Sequence, residues 1–166
     1  DPMSPLGAPL TACRLVLGLL AAVQATDGFY ALLAPRSFYE DFPLGLGWVE
    51  ALPAYNEHLL TDFGGLFLTT SVILLAASIR LERRWVVITL VAFLAFSLPH
   101  TIWHAFNLEP YSTGDAIGNV VTLLFTVVAP IALLVVMARS GGKGAPAPGR
   151  AAPGRPRPSF TSSAAT

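Results

Sequence analysis

His58 and Asp62 stand four residues apart, and so do His100 and His104. On a helix each pair shares one face. Imidazole nitrogen and carboxylate oxygen, with no thiolate beside them, suit Zn, Fe, Mn or Cu(II) better than Cu(I). In that reading His58, Asp62, His100 and His104 are the metal ligands, and Asp27, Asp115 and Asn119 support the bound cofactor. Two histidines on facing helices would instead hold a haem axially. A third chemistry needs no metal: a histidine beside a carboxylate exchanges protons with a quinone or another lipid-soluble substrate, with His100 and Asp62 as the catalytic groups. Plain structural roles compete for each residue taken singly. His58 and Asp62 would cap a helix start together with Thr61, His104 would rest in the headgroup layer, and Asp115 would sit where a helix dipole favours an acid.

The surroundings of these residues make them unusual. The chain has 166 residues, of which 54% are hydrophobic and 12% charged, with a mean hydropathy of +0.62. Soluble domains carry about 25% charged residues. Ten cations balance ten acids, so there is no basic footprint for nucleic acid. A single cysteine, Cys13, excludes an intramolecular disulfide framework and a cysteine-based zinc cluster. Four stretches, at about residues 10–33, 59–79, 85–106 and 117–138, reach the roughly 20 apolar residues that a helix needs to span a bilayer. They are too long for strands, and lipid requires backbone hydrogen bonds to close within each segment. The expected fold is therefore all-α, an integral membrane four-helix bundle occupying residues 1–138. Arg14, the short apolar core at 15–22 and the small residues at 23–25 also fit a cleavable signal peptide, but apolar character resumes at 29–34 and favours a retained helix.

Charge sets the expected orientation. Arg14, Arg80, Arg83, Arg84, Arg139, Lys143, Arg150, Arg155 and Arg157 fall on one side with only Asp1 and Glu82, while the other side carries Arg36 against eight acids. Both termini are expected in the cytoplasm, with the chain in the cell membrane. Residues 139–166, rich in Pro, Gly, Ala and Arg, read as a disordered tail. Residues 35–57 mix Phe38, Tyr39, Phe42, Trp48 and Tyr55 with Pro and Gly, which suits a structured outer loop. Gly18 and the Gly64-Gly65 pair are expected to allow close helix packing, and Pro99 to kink the third helix.

On these helices Asp27, His58, Asp62, His100, His104, Asp115 and Asn119 fall at one depth. Their faces continue in Gln24, Gly65, Thr69, Ser97, Gly118, Thr122 and Thr126. Polar groups facing lipid cost several kcal/mol each, so these faces are expected to meet in a polar pocket in the outer half of the bundle.

Arg14-Leu15-Val16-Leu17-Gly18, then Gly28, then Leu32-Leu33-Ala34-Pro35, resembles the opening of small four-helix membrane proteins of the DoxX-like type. The resemblance implies a four-helix membrane fold over about residues 10–138 and, for some members, a link to redox or quinone chemistry. It carries over no functional residue. The leading expectation is a membrane protein whose pocket binds a metal (Zn, Fe or Cu), haem or a small lipophilic ligand, in redox or lipid metabolism. The alternative is a non-catalytic subunit or assembly factor of a larger membrane complex, or a homo-oligomer. The absence of an internal repeat argues against a transporter.

Overall fold

In each long apolar segment the interior positions recur at alternating steps of three and four residues. The computed structural model, which describes residues 7–52 and 54–141, shows this in α1 (Gly7–Leu33), α3 (Glu57–Arg80), α4 (Arg83–Phe106) and α5 (Thr113–Gly141). In α4 the buried residues are Val86, Thr89, Leu90, Phe93, Ser97, Thr101 and His104. In α1 they include Cys13, Leu17, Leu20, Ala21, Gln24 and Ala31. A stripe of this spacing packs helices at shallow antiparallel angles, as in bundles. All four helices are long and apolar enough to cross a membrane, with spans of 24 to 27 residues. Their outward faces carry Leu15, Val72 and Ile79, each about two-thirds exposed. In water so much exposed apolar surface would drive association, whereas in lipid it lies in its own solvent.

The helices form two close pairs, α1 with α3 and α4 with α5, joined more loosely along α3/α4 and α1/α5. Small residues bring α1 and α3 together. A Cβ on Gly64 would lie 2.9 Å from the Leu32 nitrogen and 3.0 Å from the Gly28 carbonyl oxygen. Beyond this crossing, side chains reach across to the opposite backbone. The Ser71 hydroxyl donates to the Ala21 carbonyl at 2.8 Å, and Arg14 Nε donates to the Ser78 carbonyl at 3.2 Å. In the other pair the Thr101 hydroxyl donates to the Leu123 carbonyl at 3.3 Å. Hydrogen bonds of this kind between membrane helices contribute about 0.6–2 kcal/mol each. The close-packing role falls to Gly64 and Gly28. At Gly18 and Gly65, expected to share it, an added Cβ would meet nothing within 4 Å.

The helix starts and ends follow the expected spans with small shifts. The last helix begins at Thr113 rather than about 117 and runs on to Gly141. Residues 139–141, assigned above to the tail, are therefore helical, and the expected tail at 142–166 lies outside the described residues. Pro99 and Pro130 are both accommodated inside continuous helices. A fifth, short helix, α2 (Pro35–Asp41), starts with proline in its first turn, where the missing N–H costs nothing.

The interior divides into three zones along its length. At the end bearing Arg14, Arg80, Arg83, Arg84 and Arg139, here called the arginine end, the core is apolar: Cys13, Leu17, Leu20, Leu74, Val86, Leu90, Phe93 and Leu133. Next comes a layer of buried polar residues that includes Gln24, Ser97, Thr101, His104 and Asn119. At the opposite, loop end, Phe38 of α2 packs with Ala31 and Leu60 under Tyr30, Tyr39, Phe42, Val49 and Tyr55. The polar layer thus lies between an apolar floor and an aromatic lid.

Candidate functional site

The four residues expected to share a metal separate into two pairs. His58 Nε2 and Asp62 Oδ2 are 3.4 Å apart on the outside of α3, with 87% and 65% of their side chains exposed. His100 and His104 lie on α4 with ring centroids 4.7 Å apart. Among the described residues no group of three or more His, Cys, Asp or Glu side chains is placed to hold a metal ion. The physical reason lies in the helix phase: Leu60, Gly64, Ser71 and Leu74 fill the buried stripe of α3, and His58 and Asp62 fall off it. Both interior histidines share α4, so they do not clasp a haem from facing helices.

The α4 stripe also separates the two histidines. Ser97, Thr101 and His104 continue the buried stripe that begins at Val86, and His104 is only 9% exposed. His100 stands at its edge, stacked on Phe96 with centroids 5.3 Å apart, and Phe96 in turn meets Phe67 of α3 at 5.7 Å. The His-x3-His spacing draws attention to a pair, yet the three-and-four periodicity picks out His104.

Asp115 has a different neighbourhood from the one expected. Trp48 Nε1 donates to Asp115 Oδ1 at 2.9 Å, and the Ser112 hydroxyl donates to Asp115 Oδ2 at 2.6 Å. The Asp115 backbone N–H returns to the Ser112 oxygen at 3.2 Å. Ser-x-x-Asp at a helix start is a capping arrangement that satisfies otherwise unpaired N–H groups. Asp115 therefore anchors the loop: the Trp48 ring lies on Gly118, where an added Cβ would come within 3.1 Å of it. Trp48→Ala removes both the ring and the hydrogen bond, and is expected to cost about 3–5 kcal/mol, as loss of a packed aromatic does. Thermal unfolding, with amide hydrogen exchange over residues 42–52, checks this.

Tyr111 braces the same contact, its hydroxyl donating to the Trp48 carbonyl at 2.9 Å. Burial raises its pKa above the ordinary tyrosine value. The folded state thus holds this proton more tightly than the unfolded state. The resulting stability is complete below a pH of about 10 and is lost as pH rises through the higher folded value. Stability is expected to fall on the alkaline side of about pH 10, and Tyr111→Phe is expected to flatten that part of the pH profile in thermal denaturation.

What remains in the interior is a set of polar atoms without partners. Gln24 Oε1 on α1, Ser97 Oγ and His104 Nδ1 on α4, and Asn119 Oδ1 on α5 are buried and make no hydrogen bond. The Thr101–Leu123 bond sets the register of α4 against α5 and brings His104 about level with Asn119 and Val120. Asp27, half-buried one turn nearer the loop end than Gln24, joins this layer. No family model, curated protein or solved structure matches the chain.

A cavity of about 280 Å³ opens along the α1/α5 seam, lined by Leu20, Val23, Gln24, Val121, Thr122, Phe125 and Thr126. Of the four residues that carry these atoms Gln24 lines it, and its wall is almost wholly apolar. Asn119 lies one turn along α5 from Thr122, on the same face. The Thr122 and Thr126 hydroxyls are turned back on their own helix, to the Gly118 carbonyl at 2.9 Å and the Leu123 carbonyl at 2.7 Å. Both hydroxyls are thus satisfied locally, and Gln24 is the lining residue that also carries an unpaired polar atom. Gln24 and Ser97 stood only at the margin of the sequence-based site. The signal that identifies them is their place on the buried stripes, since a polar residue on such a stripe must face another helix.

Proposed function

We propose that the polar layer binds the head of a small lipophilic molecule carrying carbonyl or hydroxyl groups, of the quinone class, which enters from the bilayer through the α1/α5 seam. The observation that carries this reading is the set of four buried, unpaired polar atoms contributed by three helices. Each costs about 1–3 kcal/mol if left unpaired, and a bundle that carries four of them, one on a residue lining a cavity, gains from a partner that supplies missing bonds. The amide oxygens of Gln24 and Asn119 accept, the Ser97 hydroxyl donates or accepts, and His104 Nδ1 does either according to its tautomer. The set therefore serves a carbonyl as well as a hydroxyl. Asp27 adds a carboxylate at the same layer, in the role first expected of Asp62, and His104 takes the role expected of His100.

The shape supports the same class of ligand. A volume of about 280 Å³ lies at the small end of ligand pockets. It suits one ring, with an apolar tail left among the lipids. Water alone would leave Leu20, Val23, Val121 and Phe125 wetted, and dry cavities are the rule for walls of that kind. With the arginine end in the cytoplasm of the cell, as the positive-inside rule places it, the layer belongs to the outer half of the membrane. The kinship with DoxX-like proteins is proposed on the Arg14–Pro35 motif alone. A photoreactive azido-quinone probe, added to the full chain in lipid nanodiscs, is expected to label peptides containing Gln24 or residues 121–126. Labelling confined to the outer faces of α3 and α4 would contradict the reading.

A second reading rests on a different observation. The His58–Asp62 pair faces outward at the first turns of α3, where a carboxylate toward lipid is unfavourable. A polar helix of a membrane-complex partner, or of a second copy of the chain, would pair with it. Asp62→Leu is expected to lower the apparent mass in detergent if that contact exists; an unchanged mass equal to one chain sinks it.

A further inference from the structure

Arg14 lies within the first span, four residues from its start at Leu10, or about 6 Å along the helix axis. A guanidinium at that depth needs a partner. Its Nε donates to the Ser78 carbonyl near the end of α3 at 3.2 Å, which holds the side chain across the α1/α3 pair. Among the described residues no carboxylate reaches it: the acid-to-arginine ion pair there is Arg36 with Glu40, at the other end of the molecule. Among the described residues the two terminal nitrogens of Arg14 thus form a fork of donors with no anion.

Arg14 borders a second cavity, also of about 280 Å³, lined with it by Leu10, Thr11 and Leu81. The chain folds round it because Leu81 takes the left-handed conformation (φ 51°) as α3 ends and turns toward α4. Arg80, Arg83 and Arg84 stand exposed in and beside that turn, with Glu82 as the single acid among them. The cavity therefore combines an oriented guanidinium, apolar walls from Leu10 and Leu81, and a surrounding positive field.

We infer that this cavity is a binding site for the phosphate of an anionic phospholipid headgroup. The phosphate accepts the paired N–H donors of Arg14, a geometry that guanidinium matches and ammonium does not. The first acyl carbons lie against Leu10 and Leu81, and Arg80 and Arg83 add attraction that a zwitterionic headgroup does not repay. The site is independent of the polar layer, which lies beyond the apolar core.

The test uses the full chain, purified in mild detergent and re-equilibrated with vesicles of phosphatidylglycerol and phosphatidylcholine in equal amounts, with retained lipid counted by native mass spectrometry. Wild type is expected to retain phosphatidylglycerol at least about tenfold over phosphatidylcholine, whose choline cation is disfavoured by the positive field of Arg80 and Arg83. Arg14→Gln is expected to lose the retained phosphatidylglycerol, and Arg14→Lys to keep only part of it. Leu10→Trp, which fills the cavity and leaves every charge in place, is expected to lose it as well; this variant keeps the test open if Arg14→Gln fails to fold. Arg84→Gln is expected to stay within about threefold of wild type. Inorganic phosphate at millimolar concentration is expected not to displace the lipid, since it lacks the acyl contacts. Equal retention of both lipids by wild type, unchanged retention by Leu10→Trp, or equal losses in Arg84→Gln and Arg14→Gln would overturn the site. Displacement by inorganic phosphate would overturn the lipid as its occupant.

Discussion

Gly64→Ala is expected to unfold or separate the α1/α3 pair. The new methyl group would meet the Leu32 nitrogen at 2.9 Å, the Gly28 carbonyl oxygen at 3.0 Å and the Leu32 Cα at 3.2 Å. All three are backbone atoms, so no rotamer change relieves the contact, and the helices must move apart along a face that also carries Ser71 and Leu74. Overpacking of this kind costs about 1–3 kcal/mol, and loss of the Ser71–Ala21 hydrogen bond adds to it. Gly65→Ala is the matched control. It has nothing within 4 Å, and alanine in a helix is favoured over glycine by about 1 kcal/mol. Thermal denaturation of the two variants in the same detergent separates them: Gly64→Ala falls by several degrees, and Gly65→Ala stays level or rises. Equal melting temperatures would mean that α1 and α3 do not cross at Gly28 and Gly64.

Gln24→Leu is expected to make the empty protein more stable while removing its ligand. The Gln24 oxygen is buried without a partner, beside Leu20, Val23 and Phe125. Leucine has a similar shape and replaces an unpaired acceptor with apolar surface. Removing such a group recovers about 1–3 kcal/mol. For a chain of this size that raises the melting temperature by about 2–4 °C per kcal/mol. A residue that lowers the stability of the empty protein but is needed for binding is the expected signature of a functional site. A polar residue kept only as a contact between helices gives the opposite sign, because its loss would weaken the bundle.

Much of the architecture was legible because lipid leaves the backbone few options. Length and hydropathy alone located four spans, and the structure moves their ends by only a few residues. Of the polar residues singled out, His104 and Asn119, with Gln24 beside them in the sequence reading, are buried on three different helices, and Asp27 and His100 are half-buried. Helix phase was the harder quantity. The i, i+4 spacing of His58 and Asp62 says that they share a face and leaves open which face it is. That was decided by Gly64, whose missing side chain lets α1 approach on the side away from them. Asp115 was assigned to the pocket on depth, whereas Trp48, sixty-seven positions earlier in the chain, claims its carboxylate. No local pattern announces a contact of that separation. The α4 stripe was readable in hindsight from Val86 to His104, since a polar residue on an otherwise apolar three-and-four repeat has to face the interior.

The central claim is that the unpaired polar layer is a ligand site, and one paired measurement tests it most directly. Thermal unfolding of the wild type and of the Gln24→Leu/Asn119→Leu double variant, each with and without decylubiquinone, reads stability and binding together. Wild type at a probe concentration of about 100 times Kd gains about 2.7 kcal/mol, seen as a clear rise in melting temperature. The account predicts that the double variant melts higher than wild type without the probe and gains nothing when it is added. A double variant that melts lower when empty, or that is stabilised by the probe as much as wild type, would contradict the account.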